Sequence, residues 1–283
     1  MSENEVDLSL GTIFTEPPRP PTPEPTIAVY TREPGHRKSI EEWEEIQIRL
    51  VGAHPLWGNY LWNAARAFAS YLDAYQELYK DKYILELGAG GALPSILAAK
   101  TGARKVVITD YPDDDLMDNI VHNVEVNILA SDRERVSVQG YIWGRAIDSL
   151  LEAISTTNER SVFDVIILSD LIFNHSQHDA LLTTCELALC RNPPDLLSIP
   201  PTASVLVFYS HHRPHLAHRD MEFFEKARGR GWVCEEILTR KFPPMFPNDS
   251  GEESVRSTVH GWRLTRSSTP SERDHTPQST FDV

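Results

Sequence analysis

Gly88 and Gly90 follow the apolar run YILEL (83–87), and Asp110 ends the next one, KVVITD (105–110). Glycines at that spacing let the backbone turn tightly and approach a ligand with no Cβ in the way. Pro94 then suits the first turn of a helix, where its missing N–H costs nothing. Strand, glycine turn, helix, strand and acid together make a nucleotide site. In it the Asp110 carboxylate is placed to accept hydrogen bonds from ribose hydroxyls. A dinucleotide fingerprint needs a third glycine, and Leu93 holds that position, which argues against NAD. Asp110 itself does not choose, because NAD and S-adenosylmethionine both carry those hydroxyls.

Other residues able to do chemistry fall at other strand ends. Trp143 follows a strand in YIWG (141–144), where a flat indole can flank adenine or simply pack an edge. Ser169 and Asp170 end FDVIILSD (163–170), and polar groups at that end of a strand face the crevice. Asp170 has an alternative use as the cap of a following helix. HHRPHLAH (211–218) places four histidines after a fifth strand. Their spacing is not that of a zinc helix, and no metal site is expected. A histidine there suits the rim of an acceptor pocket and can take a proton near neutral pH. Trp57 in HPLWGNY (54–60) reads, on its residues alone, as a core tryptophan, and Trp62 as a core residue of the next helix. Three cysteines without CxxC spacing give no disulfide framework and read as small buried hydrophobes.

These positions require a particular order of elements. Ile27–Tyr30 and Ile46–Leu50 are short runs that can pair as a hairpin. LWNAARAFASYLDAYQELY (61–79) repeats apolar residues on one helical face. After the glycine turn come helices from about 93, over about 113–128, over about 177–189 and over about 217–229. Strands at 135–143, 163–170 and 204–210 alternate with them. Strands at 231–238 and 259–266 close the series. Alternation of strands and helices implies a mainly parallel sheet covered on both faces. The last two strands are joined by a loop and can therefore run antiparallel. Residues 1–26 are Pro-rich and expected to be extended or disordered, and residues 267–283 a disordered tail. The domain proper is expected over 27–266, with surface loops at 191–204 and 243–257.

The chain has 283 residues and a formal net charge of −14. That acidity makes nucleic acid an unfavourable partner and suits a cationic or basic one. No apolar run approaches the ~20 residues that span a bilayer, and the acidic N-terminus is not a signal peptide. Neither a membrane nor a secreted location is expected, and the default address is the cytoplasm.

ELGAGGALPSILAAKTGA followed by VVITDYPD resembles the first motif and following acid of seven-stranded S-adenosylmethionine-dependent methyltransferases. With HPLWGNYLWNAA, YIWG, SDLIFNHSQH and FYSHHRPH, the chain resembles the fungal protein N-terminal and lysine N-methyltransferases that modify elongation factor 1-alpha. That group was formerly called nicotinamide N-methyltransferase-like. The resemblance covers roughly residues 10–265. It implies an α/β fold with a Rossmann-like seven-stranded sheet, mostly parallel with an antiparallel C-terminal hairpin. It implies S-adenosyl-L-methionine held by Trp57, Gly88, Ala89, Gly90, Asp110, Trp143 and Ser169, with Asp170, Phe173 and Asn174 facing the acceptor. Asp170-Leu171-Ile172-Phe173 fits the wider family's Asp-x-x-aromatic signature, with Phe for the commoner Tyr. Many relatives read Gly-Thr-Gly where this chain has Gly90-Gly91-Ala92, and the extra glycine is expected to keep the turn feasible.

The implied acceptors are the N-terminal glycine amine and adjacent lysine of elongation factor 1-alpha. A terminal amine has a pKa of about 7.7–8.0 and a lysine about 10.4, so only the lysine needs much help to lose its proton. Most of the rate should come from alignment. Asp170 is the candidate for orienting the amine, with no strong general base assigned. The rival readings are a small-molecule, nicotinamide-like amine methyltransferase, an NAD oxidoreductase, and a non-catalytic module that binds the elongation factor.

Overall fold

The computed structural model describes residues 23–266, except 38, 40, 41, 56, 156–161 and 190–202. Most of the Pro-rich segment, the tail from 267, Cys190 and most of the 191–204 loop lie outside the described residues.

Two strands, β1 (Thr26–Thr31) and β2 (Glu45–Leu50), pair antiparallel as the expected hairpin. Helix α1 (Asn63–Ala74) follows. The remaining elements are β3 (Tyr83–Leu87), α2 (Leu93–Lys100), β4 (Lys105–Asp110), α3 (Asp114–Asn127), β5 (Val136–Gly140), α4 (Asp148–Glu152) and β6 (Val165–Ser169). They continue with α5 (His178–Ala188), β7 (Ser204–Ser210), α6 (Ala217–Gly229), β8 (Trp232–Lys241), α7 (Glu253–Arg256) and β9 (Thr258–Arg266). The seven-stranded sheet has the order β5-β4-β3-β6-β7-β9-β8. β9 inserts between β7 and β8, antiparallel to both. The other pairings are parallel.

Alternation along the central strands divides the core into two layers. Ile84, Val106, Ile108, Ile167 and Phe208 face α1, α2, α3 and the hairpin. Leu85, Val107, Ile166, Leu168 and Val207 face α4, α5 and α6. Burial on both faces explains why these strands read as near-continuous apolar runs. The strand order changes direction between β3 and β6, and the crevice at their carboxyl ends is where such sheets take ligands.

Two expected elements are shorter in the structure. The 61–79 helix ends at Ala74, and Gln76–Leu78 form a separate tight turn. The 135–143 strand ends at Gly140; the Tyr141 N–H still reaches the Asp110 carbonyl at 2.8 Å, and the Tyr141 hydroxyl donates to the Arg145 carbonyl beside Thr184. The 243–257 loop contains α7. Among the described residues no helix is long and apolar enough to cross a membrane.

Candidate active site

The turn after β3 is shaped by left-handed backbone at Gly88 (φ +60°) and Gly90 (φ +55°). At Gly88 a Cβ would stand 2.7 Å from Leu171 Cδ2 and 3.0 Å from Trp143 Cζ2. Gly90 has open space around it and needs glycine for its conformation; its N–H donates to Asp110 Oδ2 at 2.7 Å. The other Asp110 oxygen accepts from the Tyr111 N–H at 2.7 Å. A carboxylate has about four acceptor positions, so two backbone donors leave room for ligand hydroxyls. Burial raises the Asp110 pKa, and the two backbone hydrogen bonds oppose that rise.

The substitution of Gly-Thr-Gly by Gly90-Gly91-Ala92 works differently from expectation. Gly91 does not carry the positive φ. A Cβ there would overlap Ile48 Cγ2 of β2, so the glycine makes room for the hairpin. Besides Gly90, the left-handed residue of the three is Ala92 (φ +60°), which opens α2. Behind the turn lies Glu86, fully buried on β3. Burial pushes its carboxyl up to about 8, against a hydrogen bond from the Ser95 N–H that lowers it.

The opposite wall comes from β6 and β7. Ser169 Oγ is buried with no hydrogen-bond partner. Asp170 is also left-handed (φ +59°), and its N–H donates to the Phe208 carbonyl at 2.7 Å. It does not cap a helix, since α5 begins only at His178. Instead its Oδ2 lies 2.9 Å from His212 Nε2. Burial works against a charged His212, but the charge of Asp170 and its hydrogen bond outweigh that and raise the imidazole pKa. Alongside, Asp220 joins His175 Nε2 and His211 Nδ1, each at 2.7 Å. The carboxylate partners that the histidine run lacks in sequence are thus supplied in space. Among the described residues no group of three or more His, Cys, Asp or Glu is arranged to hold a metal ion.

A single cavity of about 870 Å³ contacts all ten residues singled out from the sequence: Trp57, Gly88, Ala89, Gly90, Asp110, Trp143, Ser169, Asp170, Phe173 and Asn174. Phe173 is 41% exposed at its rim and Trp57 45%. Trp57 is not a core residue, and its φ of +62° is strained for so bulky a side chain. Among the described residues, three of the four non-glycine residues with positive φ (Trp57, Ala92 and Asp170) line this cavity, a clustering typical of functional sites. Trp62 also departs from expectation: it precedes α1, half-buried, with its ring 4.7 Å from that of His212. Tyr60, His175, Asp220 and Phe246 line the cavity too and were not individually legible. The Asp-x-x-aromatic signature gave no hint of them.

The lysine methyltransferase family model matches residues 44–228, the span that holds both the turn and the Asp170–His212 corner. The chain belongs to this family. It is 42% identical to the protein N-terminal and lysine N-methyltransferase EFM7 of Cryptococcus neoformans over 97% of its own length and 94% of that protein's. It is 43% identical to the Schizosaccharomyces pombe protein of the same description, over 89% and 94%. Among solved structures, a candidate methyltransferase complexed with SAH superposes with a TM-score of 0.51 at 15% identity, covering 81% of this chain and 57% of that one. A candidate RNA methyltransferase from Pyrococcus horikoshii gives 0.50 at 18%, covering 77% and 92%. These two likenesses concern the fold. The methyltransferase is therefore an enzyme of protein amines by kinship, which sets aside the NAD oxidoreductase and the non-catalytic module.

Proposed function

We propose that the methyltransferase transfers methyl groups from S-adenosyl-L-methionine to the N-terminal glycine amine and adjacent lysine of elongation factor 1-alpha, in the cytoplasm. The observation that carries this reading is one cavity joining the glycine turn to the Asp170–His212 corner. The residues present fit the cofactor. Gly88 leaves a cradle that a Cβ would fill, Asp110 keeps acceptor capacity for ribose hydroxyls, and the Ser169 hydroxyl awaits a partner. Trp143 flanks the turn as a flat apolar wall for adenine. When bound, S-adenosylmethionine supplies a methyl group activated by a sulfonium.

The chain's own contribution is to present a neutral amine in line. Asp170, held by β7 and His212, orients the nitrogen through a hydrogen bond. His212 takes the amine's proton when it is itself neutral. A rim with exposed Trp57 and Phe173 admits a flexible chain end, which favours a protein substrate over an enclosed small amine. The test is peptide mass mapping of unmodified elongation factor 1-alpha after incubation with the enzyme and S-adenosylmethionine. Added methyl masses on its N-terminal peptide are expected. Their absence, with cofactor binding shown separately, overturns the target and leaves the turn's ligand.

A further inference from the structure

Tyr60, Trp62 and Phe246 line the acceptor side of the cavity but belong to neither core layer. Core aromatics in this fold pack both ways: Phe68 stacks on Phe208 at 4.1 Å and 15°, and Phe223 meets Phe224 edge-on at 5.4 Å and 90°. The three cavity rings all meet at an angle. Tyr60 meets Trp62 at 5.3 Å and 51°, Phe246 meets Tyr60 at 5.2 Å and 84°, and Trp62 meets Phe246 at 6.0 Å and 70°. No ring in this wall covers another flat. Elsewhere arginine or lysine sits over Trp43, Tyr83, Trp232, Phe242 and Trp262. Among the described residues none sits over the wall.

The wall is held in place from outside. Phe246 arrives on the connection between β8 and β9, where the Arg256 guanidinium donates to its carbonyl at 2.6 Å. Asn63 donates to the Pro243 carbonyl at 2.8 Å, tying the same connection to α1. Asp170 and Asp249 line the same cavity.

We infer that this wall is a cation subsite, holding a substrate ammonium that neighbours the amine being methylated. The inference rests on the proposed function. A chain end with a free amine followed by lysine carries two cations one residue apart. The Asp170–His212 corner takes the reacting nitrogen, and the wall, beginning 4.7 Å from the His212 ring, takes the other. Aromatic faces attract an ammonium through their negative quadrupole, more strongly as water is excluded.

The test uses two peptides with the N-terminal sequence of elongation factor 1-alpha, one with lysine at the second position and one with norleucine. Methylation of the N-terminal amine is read by fragment mass. With the wild-type enzyme, norleucine is expected to raise KM about five-fold with kcat little changed. In Phe246→Leu that ratio should fall to about two-fold or less, because the face is gone. The peptide arm needs no variant and so does not depend on the variant's folding. Equal KM for the two peptides, or an unchanged ratio in Phe246→Leu, overturns the subsite alone. No transfer to either peptide overturns the proposed function and the subsite with it.

Discussion

At Gly88 two separate reasons for a glycine coincide, a positive φ and a Cβ position already taken by Leu171 and Trp143. Gly88→Ala is expected to cost about 1–3 kcal/mol of stability and to weaken cofactor binding about tenfold or more, since Trp143 must move. Unfolding curves and cofactor titration check this. His212 carries a pH signature. Its folded pKa lies above the ordinary 6.5, so its pairing with Asp170 stabilises the fold fully below 6.5 and less as pH rises through the folded value. Proton acceptance needs the neutral ring, so activity should rise over that same window. The pair is most stabilising where it is least able to accept a proton. His212→Asn should flatten the rise in a pH–rate profile. Glu86 has the opposite sign from an ordinary paired carboxylate. The folded chain keeps its proton to about 8 where the unfolded chain releases it near 4.5, so its cost grows with pH between those values. Glu86→Gln should therefore stabilise by about 1–3 kcal/mol near pH 9 and by little near pH 4 in urea titrations.

Among the elements, the hairpin shows what the sequence could not reveal. β2 pairs with β1 on one side only. Its other edge is satisfied by asparagines of α3, where Asn119, Asn123 and Asn127 share one helix face at four-residue spacing. Asn127 exchanges hydrogen bonds with Gln47, and Asn123 does so with Arg49. Asn123 also donates to the Gly91 carbonyl at 3.2 Å, joining the hairpin to the cofactor turn. Asn123→Ala removes the partner of the Arg49 N–H and of the Gly91 carbonyl, while the Arg49 carbonyl keeps Asn119, and should cost about 1–3 kcal/mol in denaturant unfolding, with weaker cofactor binding. The central strands were legible because burial on both faces leaves an unbroken apolar run, and β7 and α6 fall where the pattern places them. The asparagine ladder was not, because the backbone groups it serves lie 70–80 residues away in the chain. Phe246 was hidden for the same reason, since its ring partners Tyr60 and Trp62 lie far back in the chain. Asp220 sits nine residues from His211 but 45 from His175, a spacing that belongs to no local motif. Trp62 misled because the helical repeat continued through a position that turns out to precede α1.

At the scale of the whole molecule, the net charge of −14 acts before any contact is made. An acidic enzyme draws a cationic chain end by long-range attraction, which speeds encounter more than it strengthens the final complex. Salt shortens that reach, from a Debye length of about 30 Å at 0.01 M to about 3 Å at 1 M. For a basic N-terminal peptide, kcat/KM is therefore expected to fall as salt rises while kcat stays nearly level. The Asp170–His212 pair joins a buried carboxylate to a half-buried ring and is only 2.9 Å long, so salt screens it much less than it screens encounter. The local subsite and the global field then separate experimentally. Replacing the second-position lysine with norleucine removes the wall's cation and one unit of the peptide's charge. Adding a lysine far along the peptide restores the charge without restoring the subsite. If steering dominates, the distant lysine recovers most of kcat/KM at low salt and none at high salt. A loss that persists at high salt whatever the distant charge belongs to the aromatic wall.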